Sequence, residues 1–317
     1  SIPYDEPLRQ RLRAVLGGAE SEIEELVRDL TLRHADAVHR LLAENGIEAA
    51  AVDVIGFHGQ TIRHCPAEGI TRQIGDGALL AERTGIAVVD DFRGRDVASG
   101  GEGAPLAPLY HAALAATLER PVCVLNLGGV ANLTWIGDDD TLAFDTGPGG
   151  ALLDDWVVAS TGQPFDADGA LARAGSADGD VLVALLDDPY FDRLPPKSLD
   201  RNHFDGSILK SLSPADGAAT LVAFTATAVA RAARVLPQPP RRWLVCGGGR
   251  RNPALLAALA AELNGPVETV ESVGWDGDAL EAQAFAFLAV RSLYALPLSL
   301  PTTTGVPRPT TGGILHR

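Results

Sequence analysis

Three strand-like apolar runs in this chain each end in glycine: "VCVLNLGG" at 122–129, "TLAFDTGPGG" at 141–150 and "WLVCGGG" at 243–249. Glycine at the end of a strand permits turns that other residues resist. It also lets backbone N–H groups come close to a ligand that a Cβ would hold away. Such N–H groups, with a helix N-terminus behind them, suit phosphate. An ordinary turn is the competing account of any one cluster. Three of them after strands narrow the fold to one that presents strand ends to something bound.

Strands and helices alternate along the chain, which makes it α/β. Residues 22–44 carry apolar residues at helical spacing, and "VDVIGFHGQTI" is expected to be a buried strand ending in a turn at His58-Gly59-Gln60. "DGALLAERTG" is expected to be a helix stopped by Gly85, followed by the strand "IAVVDDF". From residue 121 the pattern restarts with a hairpin turning at Gly128-Gly129, and the strand "TLAF" runs into a turn at Asp145–Gly149. Helices are expected at 152–160, at 179–187, over "ADGAATLVAFTATAVARAARVL", after Pro253 and over "ALEAQAFAFLAVRSLYAL". Asp138-Asp139-Asp140 is expected to be a solvated hairpin tip.

A length of 317 residues allows two domains. The formal net charge of −15 excludes the electrostatic footprint of a nucleic-acid binder and disfavours an anionic membrane surface. An anionic ligand must therefore be met by local cations or backbone N–H groups. Cys65, Cys123 and Cys246 show no pairing logic, which argues for a reducing compartment. No secretory signal or membrane-length apolar run is present, so the cytoplasm is expected.

Two standard phosphate loops are excluded by their missing residues. The sequence has two lysines, each before a Ser, and neither Lys197 in "PPKS" nor Lys210 in "ILKS" has the glycines of a Walker loop. "CGGGRRNP" has Asn252 where a dinucleotide loop needs its third glycine, and Pro253 suits a first helical turn. His58 and His64 do not have zinc-ligand spacing, and no His-Glu-x-x-His motif occurs. Asp145, beside a Gly-Pro-Gly turn, is either a positioned general base or the N-cap of the following helix. Arg93 in "DDFR" can grip a carboxylate with two hydrogen bonds or make a surface salt bridge. Glu281, opening the helix "EAQAFAF", is a favourable charge at a helix N-terminus.

The order of the clusters resembles the actin/hexokinase/Hsp70 ATPase superfamily, a two-lobed, ribonuclease-H-like fold with a ligand cleft between the lobes. More narrowly, the stretches "DVIGFHGQTIRH", "QIGDGALLAERTGI", "VVDDFRGRDVASGGEGAPLAP", "LNLGGVANLT", "FDTGPGGALLDDW", "PPKS", "LVCGGGRRNPALL" and "EAQAFAFLA" resemble the anhydro-N-acetylmuramic acid kinase family. The resemblance runs from about residue 30 to the end. It implies an ATP- and Mg²⁺-dependent enzyme that hydrolytically opens a 1,6-anhydro amino sugar and phosphorylates O6 in cell-wall recycling. It also suggests a homodimer. One lobe is expected at 1–118 plus 284–317 and the other at 119–283.

By this resemblance Asp145 is the base, and Asp154 is the competing carboxylate or a contact to ribose or Mg²⁺. Asn126, Gly128, Gly129, Gly147 and Gly149 would hold phosphates; Gly247, Gly248, Gly249 and Asn252 would lie against the adenosine. Arg93, Glu281 and His58 would meet the sugar. Members of the family begin with a strand and a Gly-Thr-Ser-x-Asp-Gly phosphate loop. Here "SIPYDEPLRQRLRAVL" resembles the segment beyond that loop, and an incomplete N-terminus is expected. Gly150 stands where the family often places Asn. The alternative from another class is a non-catalytic or regulatory ligand-binding protein of the same ATPase fold, with a chaperone-like ATPase third.

Overall fold

The computed structural model describes residues 2–18 and 23–317. The chain divides into two compact units, Ser1–Tyr110 with Glu281–Arg317, and His111–Leu280. The described strands are β1 (Ile55–Gly56), β2 (Gln60–Cys65), β3 (Ile70–Ile74), β4 (Val88–Asp90), β5 (Val122–Leu127), β6 (Val130–Ile136), β7 (Thr141–Pro148), β8 (Trp243–Cys246), β9 (Val267–Thr269) and β10 (Ile314–His316). No helix among the described residues is long and apolar enough to cross a membrane.

In the first unit β4 lies between β1, parallel to it, and β10, antiparallel, while β2 and β3 form a separate hairpin. Val88 and Val89 of β4 are fully buried. Asp90 ends the strand and holds two neighbours, accepting from the His316 ring and from the Gly77 N–H. The expected helices form where their caps predict. Asp76 accepts from the Leu79 N–H at the start of Gly77–Thr84, and Gly85, at φ 69°, closes it. The helix Ile23–Asn45 buries Leu26 and Leu30, and its Thr31 hydroxyl accepts from the Asp76 N–H, tying the two helices.

The segment read as one strand over "VDVIGFHGQTI" is broken. Only Ile55–Gly56 pairs in the three-stranded sheet, and Gln60, expected in a turn, begins β2. A Cβ on Gly59 would lie 2.4 Å from the Ile74 carbonyl oxygen, and Gly59 has φ +68°, so the chain must bend away from strand geometry there.

The second unit is built on a five-stranded sheet in the order β7-β6-β5-β8-β9. β5, β6 and β7 form an antiparallel meander, and β8 and β9 add in parallel. The helix Pro214–Ala233 packs on it, started by the Ser213 hydroxyl accepting from the Asp216 N–H and by Pro214 in its first turn. Small residues on this helix let neighbours approach closely: a Cβ on Gly217 would sit 2.3 Å from the Trp156 ring. Phe144 and Phe224 are fully buried in the core beneath. Asp138, Asp139 and Asp140 form the exposed tip between β6 and β7.

The segment read as a turn at Asp145–Gly149 is instead the last part of β7, which pairs with β6 through Pro148. Pro is tolerated because β7 is an edge strand. Asn132 pairs with Asp145 and Ala131 with Gly147, so Thr146 is the extra residue of a β-bulge. The N-cap alternative for Asp145 is thereby corrected. The helix Ala151–Thr161 starts six residues later, with Gly150 at its N-cap.

Candidate active site

A cavity of about 730 Å³ opens in the second unit, within the range of cofactor sites. The β5–β6 hairpin supplies Gly128 and Gly129 to its wall, the start of the helix Ala151–Thr161 supplies Gly150, Ala151 and Asp154, and the turn after β8 supplies Gly248 and Gly249. No side chain caps that helix at Gly150; the Gly150 and Ala151 N–H groups donate instead to the Gly128 and Gly129 carbonyls, which ties the helix start to the hairpin. Arg201 and Arg251 bring cations to the same cavity.

The glycines separate into two kinds. Gly149 is required by packing, because a Cβ there would lie 2.2 Å from the Gly128 carbonyl oxygen. Gly147 and Gly247 have φ of +154° and +76°, and a Cβ on Gly247 would meet the Asn126 amide oxygen at 2.4 Å. Gly249 would press its Cβ onto Leu127. Gly128, Gly129, Gly150 and Gly248 are different. None has the positive φ that favours glycine, and a Cβ would come no closer than 3.4 Å to the protein at the first three, while nothing lies within 4 Å at Gly248. Those four all line the cavity. The fold does not need them bare; a ligand against the backbone would.

The turn after β8 is set by Arg250, which is 8% exposed. Its guanidinium donates to the Gly247 carbonyl, to Glu271 and to Asp278. Asn252 then caps the helix Pro253–Glu262, its amide oxygen accepting from the Ala254 and Leu255 N–H groups. That oxygen is committed to the helix, although the residue also lines the cavity.

Asp145 is 6% exposed and lies outside the cavity wall. Its carboxylate oxygen Oδ2 accepts from the Leu199 N–H at 2.8 Å. Its own N–H donates to the Lys197 carbonyl at 3.0 Å, and its carbonyl accepts from the Tyr190 hydroxyl at 2.6 Å. The Leu199 backbone thus fixes one oxygen of the carboxylate.

Asp154 differs in kind. Burial, then the nearby Asp155 and Asp166, push its carboxyl up to about 6, with Arg201 acting against them. A carboxyl raised in the folded state favours folding below its unfolded value and loses that contribution as pH rises through about 6. Discounted for partial exposure, the loss is about 1 kcal/mol. Asp154→Asn is therefore expected to raise Tm by roughly 2–4 °C at about pH 7.5. No rise is expected at about pH 4, where the wild-type carboxyl is protonated in the folded state. Thermal melts at the two pH values check this, and an equal rise at both would contradict it.

In the first unit the structure joins two residues expected separately to meet the sugar. The Arg93 Nε–H donates to His58 Nε2 at 2.9 Å, while His58 Nδ1 lies 2.9 Å from the Gly59 carbonyl. That pattern fixes a neutral ring protonated at Nδ1. Burial and the Arg93 charge pull the imidazole down to about 3. Arg93 also donates from Nη1 to the Gly103 carbonyl. The buried Asp96 secures that glycine loop, accepting from the Gly103 N–H and from the Thr304 hydroxyl. His58 lines a cavity of about 150 Å³ with Thr71, Gln73, Asp90 and Asp91.

Of the residues singled out in sequence, Gly128, Gly129, Asp154, Gly248, Gly249 and Asn252 share the larger cavity. Asn126 on β5, Asp145 and Gly147 on β7, Gly149 just past β7 and Gly247 just past β8 are not part of the cavity wall. Glu281 is exposed in the first turn of the helix Leu280–Leu293. Sequence reading missed Arg201, Arg251, Phe165 and Asp166 of the cavity wall, and Tyr190 and Leu199 beside Asp145. Arg201 and Leu199 sit in an irregular segment without periodicity, where only nearness to "PPKS" offered a signal.

Comparison with known proteins agrees with the motifs. The family model for anhydro-N-acetylmuramic acid kinase matches residues 1–317. A protein of Paramagnetospirillum magneticum named anhydro-N-acetylmuramic acid kinase is 59% identical over 100% of this chain and 90% of its own length. One of the same name from Rhodospirillum rubrum is 58% identical over 99% of this chain and 84% of its own. Among solved structures, a ROK family glucokinase from Streptomyces griseus is similar at 14% identity over 80% of this chain and 86% of that one, with a TM-score of 0.38. On the full-length family match and these close relatives, the chain belongs to the anhydro-N-acetylmuramic acid kinase family.

Proposed function

We propose that this chain carries out the reaction its family is named for: it opens 1,6-anhydro-N-acetylmuramic acid with water and transfers the γ-phosphoryl group of ATP to O6. The product is N-acetylmuramic acid 6-phosphate, an intermediate of cell-wall recycling. The observation that carries the nucleotide part is a set of four glycines that neither packing nor backbone conformation requires, lining one cavity with a helix start that no side chain caps and two arginines.

Asp145 is the general base. It takes a proton from the water that attacks the anomeric carbon, the bond from that carbon to O6 breaks, and O6 then attacks the γ-phosphorus with ADP leaving. The phosphates lie along Gly128, Gly129 and the helix start at Gly150, with Asn126, Gly147 and Gly149 shaping that hairpin. The adenosine lies over Gly248 and Gly249, with Gly247 and Asn252 holding the turn. Arg93, oriented by His58, receives the lactyl carboxylate, and Glu281 receives a sugar hydroxyl. No group of three or more His, Cys, Asp or Glu that could hold a metal occurs among the described residues. Mg²⁺ commonly binds through one or two carboxylates plus substrate phosphates, and the Asp154 carboxylate on the cavity wall fits that role. Such an ion would neutralise charge on the phosphates.

The test is ADP formation from MgATP with and without the anhydrosugar. Sugar-dependent ADP together with a phosphorylated, ring-opened sugar is the expected result. ATP binding without sugar-dependent turnover would favour the non-catalytic alternative, and sugar-independent turnover would favour a chaperone-like ATPase.

A further inference from the structure

The reading of Asp145 as base leaves unexplained a buried lysine close behind it. Lys197, in "PPKS", is 5% exposed. Its ammonium donates to the Tyr190 carbonyl at 2.9 Å and rides over the Tyr190 ring at 4.4 Å from the centroid. Both contacts go to one residue seven positions back, so the side chain closes the segment 190–197 into a loop. Tyr190 is itself 3% exposed, and Leu199 is buried just beyond.

That closed loop and the residue just past it hold Asp145 at three points. The first residue of the loop sends a hydroxyl to the Asp145 carbonyl, its last receives the Asp145 N–H, and two residues further the Leu199 N–H holds the carboxylate. Asp145 lies on an edge strand next to a bulge, where the sheet alone fixes a side chain loosely. We infer that Lys197 is a positioning residue: it clasps Tyr190 so that the loop holds the Asp145 carboxylate in a single working orientation. It touches neither nucleotide nor sugar, and it acts through Tyr190 and Leu199.

A buried amine is costly to ionise, and burial followed by the nearby Arg193 lowers Lys197 to about 8, with Asp192 acting against them. A lysine kept only for stability would be replaced by an apolar residue of similar length at little cost, since the cation is desolvated where it sits. One kept to hold a base would not, because a displacement of about 1 Å at a reacting group can lower turnover ~100-fold.

The inference rests on Asp145 being the base, and three variants of the full chain separate the two. Steady-state kinetics and thermal melts of Lys197→Met, Tyr190→Phe and Asp145→Asn are compared with wild type. For Lys197→Met kcat is expected to fall ~100-fold with KM for ATP within about twofold of wild type, and for Tyr190→Phe about tenfold with the same KM pattern. A folded Lys197→Met with wild-type kcat would overturn the clasp, as would equal losses in kcat and in both KM values that track a lowered Tm. If Lys197→Met fails to fold, Tyr190→Phe, which removes one oxygen, decides: wild-type kcat there overturns the inference. Normal turnover in Asp145→Asn would instead remove the base reading, whatever the other two variants do.

Discussion

Asp145→Asn is expected to lower kcat by at least ~10³-fold, within the span that a positioned base contributes, while the melting curve and the KM for ATP stay near wild type. The amide keeps the shape of the carboxylate, and the Leu199 N–H can still donate to its oxygen. The Lys197 carbonyl and Tyr190 hydroxyl contacts go to the Asp145 backbone, which the substitution does not alter. What is lost is the capacity to accept a proton from water. A structural role would give the opposite pattern, a lowered Tm with kcat near wild type. Single-turnover experiments with saturating MgATP and anhydrosugar separate the outcomes. Normal product formation would pass the role to another carboxylate, with Asp154 the first to test because it lines the cavity.

The two carboxylates also show how far the sequence could be read. Both were visible as candidates, and nothing in their spacing separated them. The structure gives them different surroundings: Asp145 is buried and held by backbone, whereas Asp154 stands on the cavity wall with Asp155 and Asp166 raising it. The helix starts and stops were legible because caps are local. Asp76, Gly85, Ser213 and Pro253 each act within a turn of their own position. The hairpin at Gly128-Gly129 was legible for the same reason. The end of β7 was misread because Gly147 and Pro148 have the chemistry of a turn, and only the edge position of that strand explains why they pair. The clasp on Asp145 was not legible at all. It joins positions 145, 190, 197 and 199, and no periodicity or propensity links residues so far apart. The same holds for the chain of contacts from Asp96 through Gly103 and Arg93 to His58.

Gly149→Ala and Gly248→Ala are expected to fail in opposite ways, though both add one methyl to a glycine of the same site. At Gly149 the methyl would lie 2.2 Å from the Gly128 carbonyl oxygen, 2.9 Å from the Val130 carbonyl carbon and 3.0 Å from the Ala131 nitrogen. All three are backbone of the hairpin, so no side chain can swing aside. The strain should reach the upper end of overpacking costs, about 3 kcal/mol. In a unit of this size that lowers Tm by roughly 6–12 °C. At Gly248 the methyl meets nothing within 4 Å, and the backbone there does not need glycine. Alanine also restricts the unfolded chain, so Tm should hold or rise by the equivalent of about 0.4–1 kcal/mol. The methyl would instead project toward the space assigned to the adenosine, raising KM for ATP by at least ~10-fold if it displaces the base from the turn. Melting curves and ATP titrations of the two variants give four readings. Gly248→Ala with unchanged ATP affinity would mean that the bare turn after β8 is not the adenosine surface. Gly149→Ala with an unchanged Tm would mean that the hairpin yields where the geometry says it cannot, and the division of glycines into structural and ligand-facing would fall with it. Loss of stability in the first and loss of nucleotide in the second would establish that one cluster of glycines serves two physical purposes, separable by a single methyl group.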